Sequence, residues 1–246
     1  LVVADTHNHR VIRISKDGHV STIAGTGAIG DGPEGPATQA RLASPTSVTF
    51  DDRGAMWIAA WQNSRLARVD LDTQTLSFPC GTGERGYSGS TEPAISGILD
   101  LPVSVVADSG GRLFFFDQAN QLVRVVEDGQ LEDFAGRQRD HGFSGDGGPA
   151  KDAQFHATVG QIAGPANKMA VGVAAVYIAD TNNHVIRRID RETAIIETVA
   201  GIRTCAADGV CVGEDVQGGG EKIYTSNFND ETWIYHTVPA FPWTPF

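Results

Sequence analysis

One stretch of this chain occurs twice, almost unchanged. Val3-Ala4-Asp5-Thr6-His7-Asn8-His9-Arg10-Val11-Ile12-Arg13-Ile14 aligns without a gap on Ile178-Ala179-Asp180-Thr181-Asn182-Asn183-His184-Val185-Ile186-Arg187-Arg188-Ile189. Weaker copies stand at Ile58 to Leu66, Phe115 to Val123 and Thr225 to Trp233. The anchors Asp5, Ala60, Asp117, Asp180 and Asn227 are 55, 57, 63 and 47 residues apart. A period of this size marks a fold of stacked units, none of which can bury its apolar face alone. Pro45 and Pro102 each precede their anchor by 15 residues, whereas Thr158 precedes Asp180 by 22, which predicts an insertion near Pro165 to Gly172. The loop Gly30-Asp31-Gly32-Pro33-Glu34-Gly35-Pro36-Ala37 recurs as Gly145-Asp146-Gly147-Gly148-Pro149-Ala150 and, without the Asp, at Gly89 to Ala94. Each copy runs into a small residue followed two positions later by a large apolar one: Ala40-Arg41-Leu42, Gly97-Ile98-Leu99 and Ala153-Gln154-Phe155.

The second unit shows what is repeated. Pro45 to Phe50, Met56 to Ala59, Leu66 to Asp70 and Thr75 to Phe78 are β-rich and separated by Asp, Gly, Asn and Gln turns. Four antiparallel strands in about 55 residues make one blade of a β-propeller. The predicted fold class is therefore all-β, with blades packed about an axis. The only helical signal is a short turn at Thr38 to Leu42. The Asp-x-x-Asn pattern fits the hairpin between second and third strands, with Asp accepting backbone N–H groups and Asn tolerating a left-handed backbone. Arg10 is placed to pair with Asp5, and Leu122 and Val185 stand where that Arg would be.

Tyr177 to Ile189 resembles the core of NHL repeats, and the Gly-Asp-Gly-Gly-Pro-Ala loop is similar to a subgroup found in secreted and cell-surface proteins, the teneurins among them. The resemblance implies a single propeller domain over residues 1–246, with about five repeats belonging to a five- or six-bladed ring. The chain starts inside a unit, with Leu1-Val2-Val3 and no innermost strand, so a piece of a longer protein is expected. Residues 236–246 form an aromatic, Pro-rich tail. The resemblance also implies that the hairpins and the long loops face one side. Asp5, His7, His9, Asp117, Asp180, His184 and Asn227 then share a rim, with Asp31 and Asp146 nearby. Such a rim could bind Ca²⁺ or a basic partner segment, and the same residue types also serve as turn formers. His9 and His184 occupy equivalent repeat positions, which points to a structural role.

The charge is −11, from 19 Lys and Arg against 30 Asp and Glu. Such an acidic chain is unsuited to nucleic acid, which needs clustered basic residues. No apolar run reaches the roughly 20 residues of a membrane helix. Cys205 and Cys211 could close a small disulfide ring, suiting an extracellular or cell-surface setting, or remain buried thiols. Cys80 reads as a small core residue. The innermost strands, read as Ser47 to Thr49, Ser104 to Val106 and Val159 to Gln161, carry no paired acid and base, so no catalytic residue is assigned. The expected function is a non-catalytic extracellular or cell-surface module that binds a protein partner or other domains of the same protein. The alternative is a propeller-type lyase or hydrolase with a metal at the channel mouth.

Overall fold

The computed structural model describes residues 1–159 and 164–201, and the backbone of 202–205 and 211–214. Among these residues strand follows strand, interrupted by short 3-10 turns, with no α-helix. The first sheet is β1 (Val2–Asp5), β2 (Arg10–Ile14) and β3 (Val20–Ala24), lacking an innermost strand as expected. The second adds β4 (Gly35–Pro36), β5 (Pro45–Phe50), β6 (Met56–Ala60), β7 (Arg65–Asp70) and β8 (Thr75–Cys80). It runs β5-β6-β7-β8, with the short β4 paired on the outer edge of β8. The third repeats this with β9 (Glu92–Pro93), β10 (Pro102–Ala107), β11 (Leu113–Asp117), β12 (Leu122–Glu127) and β13 (Gln130–Ala135). The fourth holds β14 (Met169–Val171), β15 (Ala175–Asp180), β16 (Val185–Asp190) and β17 (Ile196–Ala200). A final antiparallel pair is β18 (Ile202–Cys205) and β19 (Cys211–Glu214). The fifth anchor, Asn227, and the 236–246 tail lie outside the described residues.

The inner strands β5, β10 and β14 lie side by side in that order. Hydroxyl groups stitch them together. Ser47 Oγ lies 3.1 Å from both the carbonyl and the N–H of Val105, donating to one and accepting from the other, and Ser104 Oγ accepts the Met169 N–H at 2.8 Å. The fourth inner strand is Met169–Val171, paired with Val176 to Ile178, and not the Val159 to Gln161 expected from spacing. The insertion therefore precedes this strand instead of following it. Gln118 of the third sheet holds the inserted segment, donating to the carbonyls of Thr158 (2.6 Å) and Gly164 (3.0 Å) and accepting from Ala166 N–H (3.2 Å). Spacing alone could not reveal a segment that is anchored by a neighbouring sheet.

One joint is repeated between sheets. After the fourth strand of each unit comes a glycine whose N–H donates to an alanine carbonyl of the next unit: Gly25 to Ala37, Gly81 to Ala94 and Gly136 to Ala150, each at 2.9 Å. The alanines open the 3-10 turns Ala37–Gln39, Ala94–Ser96 and Ala150–Asp152. Just beyond each turn a side chain is driven into the preceding sheet: Leu42, Leu99 and Phe155, all fully buried. Phe155 meets Phe116 edge-on at 5.7 Å between centroids. Leu42 packs in one cluster with Val11 and Ala24, and Leu99 in another with Leu66 and Cys80. Burying side chains of this size is worth roughly 1.5–3 kcal/mol each. The glycine is obligatory: a Cβ on Gly136 would stand 2.5 Å from Gln121 O and 3.1 Å from the Phe155 ring, with φ already at +95°.

Candidate functional site

Among the described residues, the expected rim residues lie in or beside the hairpins that join second to third strands, apart from Asp31 and Asp146 in the long loops. Each hairpin is a 3-10 turn, Thr6–Asn8, Trp61–Asn63, Gln118–Asn120 and Thr181–Asn183, followed by a residue in the left-handed region: His9, Ser64, Gln121 and His184. The left-handed residue is thus the one after the Asn. The Asn side chain ties the hairpin to the loop ahead of it. Asn63, Asn120 and Asn183 donate to the carbonyls of Gly30 (2.7 Å), Gly86 (2.7 Å) and Gly142 (2.8 Å). Asn8, Asn120 and Asn183 also donate to Asp5, Asp117 and Asp180 at 2.8–2.9 Å.

The aspartates do not cap their own turns. Asp117 accepts the Asp100 N–H at 2.7 Å and Asp180 accepts the His156 N–H at 2.9 Å, both from the segment leading into the inner strand. Where Ala60 replaces Asp, Asn63 Oδ1 takes over and accepts the Ala43 N–H at 2.7 Å.

Asp5 pairs with Arg10 at 3.0 Å, as the hairpin predicted. The Asn8 amide and Arg10 hold its carboxyl below the usual range. In the third and fourth sheets the Arg is not lost but stands two positions further along the strand. Arg124 and Arg187 are fully buried and lie 3.6 Å from Asp117 and Asp180. Period-two alternation keeps positions i and i+2 on one face, so the guanidinium still reaches the carboxylate. Arg124 also meets Asp133 at 3.0 Å and Glu92 at 3.9 Å, and Arg187 meets Asp146 at 2.8 Å. Each has an aromatic ring beneath it, Tyr87 at 5.2 Å and Phe143 at 4.9 Å. Burial pushes the Asp117 carboxyl up to about 7, against the lowering by Arg124, Asn120 and the Asp100 N–H, and raises Asp180 in the same direction.

The expected rim is thus divided. Asp117 and Asp180 are fully buried, and their oxygens are bonded within the fold. Asp146 is exposed and bound to Arg187, and Asp31 is exposed and bound to Arg65 (3.3 Å) and Asn63 (3.1 Å). His7 and His184 are exposed. His9 Nδ1 accepts the Ser44 N–H at 3.1 Å, joining first sheet to second. Gln121, at the same repeat position, joins third to fourth through the Ala157 N–H (2.9 Å) and carbonyl (3.0 Å). Among the described residues no group of three or more His, Cys, Asp and Glu converges on a metal position. Cys80 is a buried free thiol pushed up to about 12 by burial. Cys205 and Cys211 are backbone partners across β18 and β19, but their side chains lie outside the described residues, as does Asn227.

Sequence reading missed Arg124 and Arg187. Their signal was a seven-residue spacing from Asp117 and from Asp180, repeated in the two units.

No family model matches the chain. A human protein called NHL repeat-containing protein 2 is 25% identical over 292 residues, covering 98% of this chain and 39% of its own length. Its counterpart from Gallus gallus is 32% identical over 170 residues, covering 64% of this chain and 21% of the relative. The chain therefore spans well under half of the curated relatives it matches. Among solved structures, a gluconolactonase from Xanthomonas campestris superposes with a TM-score of 0.51 at 14% identity, covering 88% of this chain and 66% of that one. A likeness at that identity speaks for the fold alone. The recurring sheets of antiparallel strands and this superposition show a β-propeller-like, all-β fold, and the curated relatives that the chain matches are NHL repeat-containing proteins.

Proposed function

We propose that this chain is a non-catalytic propeller module that binds a protein partner, or other domains of its own protein, in a larger assembly. The observation that carries the reading is the employment of the rim carboxylates. Asp117 and Asp180 are buried with their oxygens bonded within the fold, and Asp31 and Asp146 each meet an arginine, so these carboxylates are occupied by the scaffold and withheld from a substrate or a cation. What the rim then offers is exposed turn and loop surface on a rigid scaffold, which suits partner recognition. A five- or six-bladed closed ring belongs to the same proposal.

An extracellular or cell-surface setting is proposed with it. It draws on the likeness of the Gly145 to Ala150 loop to the secreted and cell-surface subgroup, and on the backbone pairing of Cys205 with Cys211, a position where a cross-strand disulfide would form in an oxidising compartment. Affinity capture from the native tissue, with the bait expressed in the longer protein, tests the reading. A stoichiometric protein partner supports it. Turnover of a small metabolite that depends on a bound metal would replace it with the lyase or hydrolase alternative.

A further inference from the structure

Two neighbouring joints at the strand ends opposite the hairpins are built on the same turn, and one of them is occupied by an arginine of the fold. Between the third and fourth sheets, Asp108 Oδ1 accepts the N–H groups of Gly110 (2.9 Å) and Arg112 (2.8 Å). Its Oδ2 accepts twice more, from Arg112 Nε (3.0 Å) and from Arg191, which the fourth sheet sends across. The Arg191 guanidinium lies 6.0 Å from the centre of the Phe114 ring and also donates to the carbonyls of Gly172 and Val173, each at 3.0 Å.

Between the second and third sheets the turn recurs. Asp51 Oδ1 accepts the N–H groups of Arg53 (3.0 Å) and Ala55 (2.8 Å), again two and four positions on. Trp57 stands where the other joint has Phe114, six residues after the Asp, and its indole N–H reaches Asp51 Oδ2 at 2.8 Å in place of the Arg112 donor. Among the described residues no second donor reaches that oxygen. The residue that follows the third strand is Arg191 in the fourth sheet but Asp128 in the third. A cleft of about 230 Å³ lies here, walled by Trp57, Leu113 and Val126 and edged by Asp51, Asp52 and Asp128, so that both of its sides belong to described sheets. Asp52 and Asp128 have no hydrogen-bond or ion-pair partner among the described residues. Arg53 and Arg68 also line the cleft, but Arg68 is turned to Asp70 (3.9 Å), so three carboxylates face one unpaired guanidinium.

We propose that this cleft docks a single arginine side chain of a partner protein. The occupied joint defines the chemistry, because the two share the turn, the aromatic wall and the carboxylate. The guanidinium enters beside Trp57, donates to the remaining lone pair of Asp51 Oδ2 and pairs with Asp52 and Asp128 at the mouth. Arginine suits the place better than lysine, since a planar fork can face two carboxylates while its flat surface rests against the indole. This deepens the interaction-module reading and rests on it.

The test titrates acetyl-Ala-Arg-Ala-amide into the full chain and follows the protein by NMR. Expected are saturable shifts at the Trp57 indole N–H and the Ala55 N–H, and none with citrulline in place of Arg, which keeps the shape and removes the charge. Asp52→Asn combined with Asp128→Asn should weaken binding about tenfold or more, through loss of two charged partners. Asn accepts the left-handed backbone of residue 128. Asp72→Asn combined with Asp152→Asn changes the net charge equally at exposed positions outside the cleft and should leave binding unmoved. If the first double variant does not fold, Asp52→Asn alone should weaken binding several-fold. No saturable shift at millimolar peptide overturns the proposal, as does equal binding of the citrulline peptide or an equal loss in the control variant. Each of these outcomes leaves capture of a partner through the rim standing, so the two readings fail separately.

Discussion

Arg187 ties the fourth sheet to the loop that precedes it. It is fully buried between Asp180 and Asp146 and donates to the carbonyls of Ser144 (3.0 Å) and Gln154 (3.2 Å). Arg187→Ala leaves Asp180 as an uncompensated buried charge and should cost about 3–5 kcal/mol in urea denaturation. Asp146→Asn touches only the exposed partner and should cost about 1 kcal/mol or less. Asp117 makes a pH prediction. Its carboxyl is raised to about 7 when folded, against 3.8 when unfolded, so the folded state binds the proton more readily. The stability it contributes is fully present below pH 3.8 and is lost as pH rises through about 7. Asp117→Asn cannot titrate and also sets its amide against the Asn120 donor. Its destabilisation, measured by denaturation across this range, should therefore shrink as pH rises. The hairpin pairing of Asp5 with Arg10 was legible because both residues sit directly opposite. The buried pairs were not, because in those units the position opposite the Asp is Leu122 or Val185 and the Arg lies one alternation beyond.

At the scale of elements, the joint between sheets is a plug in a socket. Phe155→Ala should cost about 3–5 kcal/mol and Leu99→Ala about 2–5 kcal/mol, whereas Ile95→Ala, on an exposed turn, should stay within about 0.5 kcal/mol. Thermal or urea unfolding of the three variants side by side checks the order. The triplets that deliver the plugs were visible in sequence as a small residue two positions before an apolar one. That they enter the preceding sheet was not, because the interlock joins different units. The same limit explains the fourth inner strand. Pro45 and Pro102 open the inner strands of their units, but the fourth unit inserts a segment clamped by Gln118, and distance counting then stops short of Met169. The turn chemistry was half legible. Asn was expected in the left-handed conformation, yet it spends its amide on the neighbouring loop and passes that backbone to His9, Ser64, Gln121 or His184.

For the molecule as a whole, sheets stitched by hydroxyls along their inner strands and plugged at their outer ends make a scaffold whose charged rim is already neutralised from within. If the rim carboxylates are structural, the purified protein should hold neither Ca²⁺ nor Zn²⁺ at stoichiometric level in elemental analysis after dialysis. A stoichiometric metal would favour the lyase or hydrolase alternative. The repeat and the sheet architecture were readable because every unit solves the same packing problem with the same residue types. The central claim is that each sheet is locked by a side chain of the next, and amide hydrogen exchange of Leu99→Ala tests it most directly. The account predicts that loss of this plug speeds exchange at the Gly81 amide and across β7 and β8 of the second sheet as well as around residue 99. Faster exchange confined to the third sheet, with the second unchanged, would contradict it.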